Sequence, residues 1–169
     1  MTKSIVITLV GDDRPGIVEG VARIVVKHHG DWVESRMANL SGKFAGLVRI
    51  NLPDEQCEAF IDALKSGEPD LKISVELADA VAATDGKSYR LELVGHNRPG
   101  IVHRITAVLA AEGATVDDME TEVTEASMSG EHLFKASFMI RISPQGDIDD
   151  LRQALEREAN ELIVDLELD

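Results

Sequence analysis

Apolar and polar positions alternate along the chain with two different periods, and each period predicts one kind of element. Near the N-terminus every second residue is apolar, in Ile5, Ile7 and Leu9, which is the period of a strand with one buried face. After the segment GDDRPG the period becomes that of an amphipathic helix, with apolar residues at Ile17, Val18, Val21, Ile24 and Val25. Two more alternating segments, a second helical segment and a final alternating segment follow.

The second half of the chain repeats this order. IVITLVGDDRPGIVEGVARIV aligns with YRLELVGHNRPGIVHRITAVL, and Gly95 follows Gly11 by 84 residues, as Gly100 follows Gly16. The offset is 83 just past the first helix and 90 at the third strand, so copy two contains about seven extra residues in EASMSGEH, residues 125–132. This insertion is either a tolerated hairpin loop or a lid or partner contact.

Each copy therefore predicts a βαββαβ unit, and the fold class is α+β. We expect two ferredoxin-like domains, each with a four-stranded antiparallel sheet and two helices on one face. Domain 1 is expected over residues 1–78, a linker over 79–87 and domain 2 over 88–169. The last strands are predicted over 71–77 and 162–168.

Two kinds of residue mark the predicted boundaries of the first helix in each copy. Pro15 and Pro99 suit the first helical turn, because proline has no N–H to lose there. Gly30 and Gly113 suit the residue past the helix end, where a left-handed conformation is needed.

The net charge of −14, from 31 acidic against 17 basic residues, argues against direct binding to nucleic acid. The sequence has no cluster of Lys and Arg residues that could bind phosphates, so any control of transcription would have to act through another protein. The apolar stretches are too short to cross a bilayer, and the N-terminus lacks a small-residue cleavage site, so we expect a cytoplasmic protein without a membrane segment.

Few residues outside the repeated turns suggest chemistry, and the sequence predicts no enzyme, no cofactor and no metal site. GxSxG, Walker and HExxH motifs are absent, and Cys57 is interpreted as a structural thiol on a helix core face. Trp32 is interpreted as a core or interface residue. His28 and His29 lack a spaced partner, so capping or solvation is favoured over metal binding. Of the remaining histidines, two are expected on loops that could meet a ligand and one on a helix surface: His96, His132 and His103.

The turn GDDRPGIV, repeated as GHNRPGIV, joins a strand to the N-terminus of a helix. The first N–H groups of a helix lack helical acceptors and the helix dipole is positive there, so this turn could hold a carboxylate. Alternatively, Asp13 or Asn97 caps the helix while Arg14 or Arg98 pairs with a surface acid.

The (D/N)RPGIV turn after a first strand, inside a βαββαβ unit, resembles the ACT domain family. SRMANLSGKFAGLVRI, residues 35–50, resembles the second and third strands of the first ACT domain in glycine cleavage system transcriptional repressors, and copy two matches mainly through NRPGIVHRI and LFKASFMI. The resemblance implies allosteric binding of an amino acid, with glycine as the expected ligand. It places the ligand on two candidate loops: Gly11, Asp12, Asp13, Arg14, Pro15, Gly16, Ile17 and Val18, and Gly95, His96, Asn97, Arg98, Pro99, Gly100, Ile101 and Val102.

The two loops are not expected to bind equally. Asn97 replaces the acidic residue expected there, so the first turn, which keeps Asp13, is predicted to matter more. A homodimer or a close intramolecular pair of ACT domains is expected, with a transcription factor or another regulated protein as partner. The alternative function is an ACT pair that binds proteins without sensing a ligand, and titration with amino acids distinguishes the two.

Overall fold

The computed structural model describes residues 1–78, 85–125 and 131–169, and the chain divides into two compact units, Met1–Ala82 and Ala83–Asp169. Most of the predicted linker (79–84) and most of the predicted insertion (126–130) lie outside the described residues. Each unit has its own hydrophobic core.

Unit 1 is a four-stranded antiparallel sheet with two helices, in the strand order β2-β3-β1-β4. Its elements are β1 (Thr2–Asp12), α1 (Ile17–Lys27), β2 (Asp31–Leu40), β3 (Lys43–Pro53), a short 3-10 turn (Asp54–Gln56), α2 (Cys57–Gly67) and β4 (Lys72–Leu77). In the register, Ile7 lies opposite Val48 on one side and Val75 on the other.

Unit 2 has the same topology, with the order β6-β7-β5-β8. Its elements are β5 (Lys87–His96), α3 (Ile101–Ala111), β6 (Ala114–Glu125), β7 (His132–Ile142), α4 (Ile148–Leu162) and β8 (Val164–Leu168). The predicted α+β class and the tandem βαββαβ order are therefore confirmed.

Alternation along the strands produces each core. One face of β1 buries Ile5, Ile7 and Leu9 against the helices, as every second side chain of a strand points to the same face. Cys57 and Trp32 are half-buried and pack against this core. The second core is built in the same way, around Leu91, Leu93, Ile105, Leu109, Phe138 and Ile140.

The helix ends differ in part from the prediction. Gly113 has the expected left-handed conformation, with φ of 68°, but in copy one the left-handed residue is His29, with φ of 57°, and not Gly30. The N–H of His29 donates to Val26 and that of Gly30 to Val25, which is the double hydrogen bond of a Schellman motif displaced by one residue.

The last strand of copy two was predicted wrongly at its start. Leu162 ends α4, which has 15 residues where α2 has 11, and β8 begins only at Val164. Leu168 lies opposite Leu91, and Val75 lies opposite the equivalent Ile7, so the true offset of the last strand is 93 residues. Leu162, which was predicted to begin the strand, therefore belongs to the extra turn of α4.

Candidate functional site

Each RPG sequence forms a β-turn between the first strand and the first helix of its unit. Gly16 has φ of 89° and ψ of 0°, and Gly100 has φ of 85° and ψ of 1°, the values of the third residue of a type II turn. Proline precedes glycine in such turns, so Pro15 and Pro99 lie before the helices and not in their first turns, contrary to the prediction. Glycine is favoured here because of the positive φ.

At both turns the N-terminus of the helix is not capped by a side chain. Neither α1 nor α3 has a side-chain cap, so the alternative that Asp13 or Asn97 caps the helix is wrong. The first helical bonds run from the N–H of Gly20 to the carbonyl of Gly16, 2.8 Å, and from that of Arg104 to the carbonyl of Gly100, 3.0 Å. The preceding amides of each helix therefore lack helical acceptors, but the N–H of Ile101 already donates to the carbonyl of Arg98 within the turn, at 3.3 Å. An anion could accept hydrogen bonds from the amides that follow it in the first helical turn.

The start of each turn is tied to the neighbouring hairpin. The N–H of Asp13 donates to the carbonyl of Gly42, 2.9 Å, and the N–H of Asn97 donates to the carbonyl of His132, 3.0 Å. The two turns thus share their backbone anchoring, and differences between them come from side chains.

In the first turn, the charged side chains of Asp12 and Arg14 both have partners within unit 1. Arg14 pairs with Glu68, whose side chain is only 5% exposed. The Glu68 carboxylate lies against α1 at Gly20, where a Cβ would collide with it, so glycine makes room for a buried acid. Asp12 pairs with Lys43, and this hydrogen-bonded charge lowers the pKa of Asp12 below its ordinary value.

The second turn lacks the matching contacts. Arg104 occupies the position equivalent to Gly20 and pairs with Glu158 and with Glu161, at 2.6 Å in the latter case. The hydrogen bond to Glu158 raises the pKa of Arg104 above its ordinary value, with Glu161 contributing further. Arg98 forms no ion pair with any described residue. His96 Nδ1 lies 4.0 Å from the carboxylate of Glu131, a contact that is ionic only when the imidazole is protonated.

The predicted site residues differ in exposure. Ile17 and Ile101 are buried in the cores, so only their backbone could touch a ligand, whereas Val18 is exposed. Gly11 and Gly95 are half-buried near the ends of β1 and β5, and the remaining turn residues are exposed, apart from half-buried Val102.

A cleft of about 510 Å³ lies beside the second turn. Its walls are Val94, Gly95, His96, Leu133, Ala159, Asn160, Ile163 and Asp165. In unit 1, Leu71 packs against Gly11, and its Cδ2 lies 2.6 Å from where a Cβ on Gly11 would be. The space around the two turns is therefore not equivalent.

Glu68 was not predicted from the sequence, because its partner Arg14 lies 54 residues away along the chain. A signal was present in Gly20, a glycine on the buried face of an amphipathic helix, which indicates close approach of another group.

His28 occupies the C-cap position of α1, as the capping interpretation expects, but its side chain is buried and not solvated. Its Nδ1 lies 3.2 Å from Gln56 Oε1, its ring meets Phe60 edge to face, and its Nε2 has no hydrogen-bond partner among the described residues. Across the described ranges, no three His, Cys, Asp or Glu side chains are grouped to hold a metal ion. Within the same ranges, every helix is too short or too polar to span a membrane.

Comparison with known proteins places both units in one family. The ACT domain pattern matches residues 3–78 and, separately, residues 89–160. The chain belongs to the ACT domain family. ACT domains are regulatory, and they generally bind amino acids.

Two solved structures resemble the whole tandem ACT chain. An unknown protein from Galdieria sulphuraria is 33% identical, over 100% of this chain and 98% of its own, with a TM-score of 0.91. A candidate glycine cleavage system transcriptional repressor is 19% identical, over 100% of this chain and 97% of its own, with a TM-score of 0.74, and shows the same fold. No curated protein matches the sequence.

Proposed function

We propose that this ACT pair is a cytoplasmic sensor of a small amino acid, with glycine as ligand, and that it regulates a partner protein such as a transcription factor. The supporting observation is the pair of RPG turns, each of which presents helix amides without helical acceptors at an exposed strand-to-helix junction. The segment SRMANLSGKFAGLVRI supports glycine cleavage as the regulated process, with repression as the output.

The second turn is proposed as the stronger site, which reverses the ranking expected from the sequence. Arg14 is held by the buried Glu68, so its guanidinium is not available to a carboxylate without breaking that pair. Arg98 has no ion pair among the described residues and is exposed. A cation without an existing partner is better placed to bind a ligand carboxylate.

The mechanism is linkage between ligand and assembly. A ligand bound at the turn favours the arrangement of domains or subunits for which it has the higher affinity, and that arrangement presents the partner surface. The shift cannot exceed the difference between the two affinities.

Matched asparagine variants test the site. A Cβ at Gly16 or Gly100 would meet no atom within 4 Å, and asparagine tolerates the left-handed conformation, so Gly16→Asn and Gly100→Asn should both fold. In calorimetric titrations with the common amino acids, wild type is expected to bind glycine. Gly100→Asn should weaken binding about tenfold or more, and Gly16→Asn should do so much less.

Three other outcomes assign the function differently. A larger loss with Gly16→Asn makes the first turn the principal site. Normal binding by both variants places the ligand elsewhere. If no amino acid binds the wild type, the chain is a protein-interaction module that senses no ligand. For unit 1 this alternative is already favoured by the ion pairs that Arg14 and Asp12 form with residues of the same unit.

A further inference from the structure

The side of each sheet that faces away from the helices has a very different composition in the two units. We call this side the outer face. In unit 1 its centre consists of three rows of cross-strand neighbours, each with one residue from β2, β3, β1 and β4: Glu34, Arg49, Val6 and Glu76; Arg36, Leu47, Thr8 and Ser74; and Ala38, Ala45, Val10 and Lys72. In unit 2 the equivalent positions are Asp118, Glu120, Glu122, Lys135, Ser137, Met139, Arg90, Glu92, Val94, Asp165, Glu167 and Asp169.

The centre of the unit 1 outer face is apolar and open. Leu47 is 50% exposed and Val10 is 41% exposed, and Ala38 and Ala45 beside them are exposed as well. At the matching positions, Leu47 corresponds to Ser137, Ala45 to Lys135 and Ala38 to Glu122. Val10 corresponds to Val94, which is 40% exposed, so only the other three apolar side chains are specific to unit 1. Because unit 2 keeps the same fold with polar residues at those three positions, folding does not require them to be apolar, and a binding role explains them.

The charges of the two faces also differ. The unit 1 face carries three basic residues and two acidic ones, with Arg49 and Glu34 paired at 3.1 Å. The unit 2 face carries two basic residues and seven acidic ones. On a chain of net charge −14, the unit 1 outer face is therefore almost neutral.

We propose that the unit 1 outer face is the contact surface between two copies of this chain. Two chains of charge −14 repel each other over most of their surfaces, and a nearly neutral apolar face is where that repulsion is smallest. The surface is also self-complementary. Lys72 and Glu76 lie on β4, each two residues from Ser74. A two-fold axis that runs perpendicular to the strands, between the two faces and over Ser74, would therefore place Lys72 of one copy opposite Glu76 of the other.

This inference deepens the assembly part of the proposed function, but its test needs no ligand. Sedimentation velocity of the full chain should show a dimer, and Leu47→Glu should raise the dimer dissociation constant about 100-fold or more by burying a charge at the centre of the contact. Ser137→Glu places the same acid at the matched position of unit 2 and should leave the dimer unchanged. Both variants should have the circular dichroism spectrum of the wild type, because both sites are on the surface.

Charge exchange tests the two-fold arrangement. Lys72→Glu and Glu76→Lys should each weaken the dimer, and the double variant should restore it. Added salt should tighten the dimer, because it screens the net repulsion.

Several results would overturn the proposal. These are a monomeric wild type, a Leu47→Glu protein that still dimerises through edge strands or another surface, or equal dissociation by Leu47→Glu and Ser137→Glu. Glycine titration of the Leu47→Glu monomer reports on the ligand site independently, so either proposal can fail while the other stands.

Discussion

Glu68 is a buried acid of unit 1, and its partner Arg14 lies in the first RPG turn. The pair connects the turn to the C-terminal end of α2 and packs over Gly20. In unit 2 the cation has moved onto the helix, as Arg104, and the turn arginine is left without a described partner. Two turns with the same backbone thus have different side-chain chemistry.

Removing one member of the Arg14–Glu68 pair should cost more stability than removing the other. Arg14→Ala leaves the Glu68 carboxylate buried without its cation and should lower the free energy of unfolding of unit 1 by about 2–3 kcal/mol. Glu68→Gln keeps the shape and leaves a partly exposed Arg14 in water, for a loss of about 1 kcal/mol.

Urea unfolding followed by circular dichroism measures both changes. Arg98→Ala, the matched change in unit 2, should stay within about 0.5 kcal/mol of wild type. A greater loss from Glu68→Gln than from Arg14→Ala would contradict this account.

At the scale of elements, helix ends carry most of the unusual backbone conformations. Ile163 adopts φ of 57° and ψ of 55° between α4 and β8, although it is β-branched. Gly113 adopts φ of 68° after α3. The same conformation is therefore strained at one helix end and relaxed at the other.

Substitutions at Ile163 and Gly113 should change the stability of unit 2 in opposite directions. Ile163→Gly removes left-handed strain at a largely exposed side chain, and after the entropic cost of glycine it should stabilise unit 2 by about 0.5–1 kcal/mol. Gly113→Ala should destabilise it by about 1 kcal/mol, through backbone strain alone, since a Cβ there meets nothing within 4 Å. Thermal unfolding of both variants measures the difference, and the same sign for both would refute it.

The sequence predicted the order of elements well because apolar periodicity depends on local geometry. Ile5, Ile7 and Leu9 are on a buried strand face as expected, and the RPG turns lie at strand-to-helix junctions. The sequence left capping by Asp13 open as an alternative, because Asp is a common capping residue type, and only the type II turn decides that Gly16 occupies the cap position. The Glu68 contact is tertiary, so local pattern could not identify it.

At the scale of the whole molecule, the charge is strongly acidic and unevenly distributed. The net charge is −14, yet the outer face of the unit 1 sheet is almost neutral while that of unit 2 is acidic. Such a charge opposes contact with phosphate backbones but permits contact with proteins.

The isolated protein is therefore expected not to bind DNA. In a gel-shift experiment at physiological salt, purified protein should give no specific retardation of promoter fragments, because few phosphates can be neutralised. Adding the partner protein should be necessary for any ligand-dependent effect. Sequence-specific retardation by the chain alone, weakening with salt, would show that it reads DNA directly.

The buried or half-buried acid of each unit pairs with an arginine in a different place, Arg14 in the turn of unit 1 and Arg104 on the helix of unit 2. This difference has a consequence for any hybrid of the two units. A gene conversion that joined the first turn and α2 to the helix of the second copy would bring Arg14 and Arg104 to one buried acid, Glu68. The reciprocal exchange would combine Arg98 with Gly20 and leave Glu158 without its arginine. Each hybrid carries a charge mismatch between its helices, so we expect each to be less stable than the two units from which its helices come.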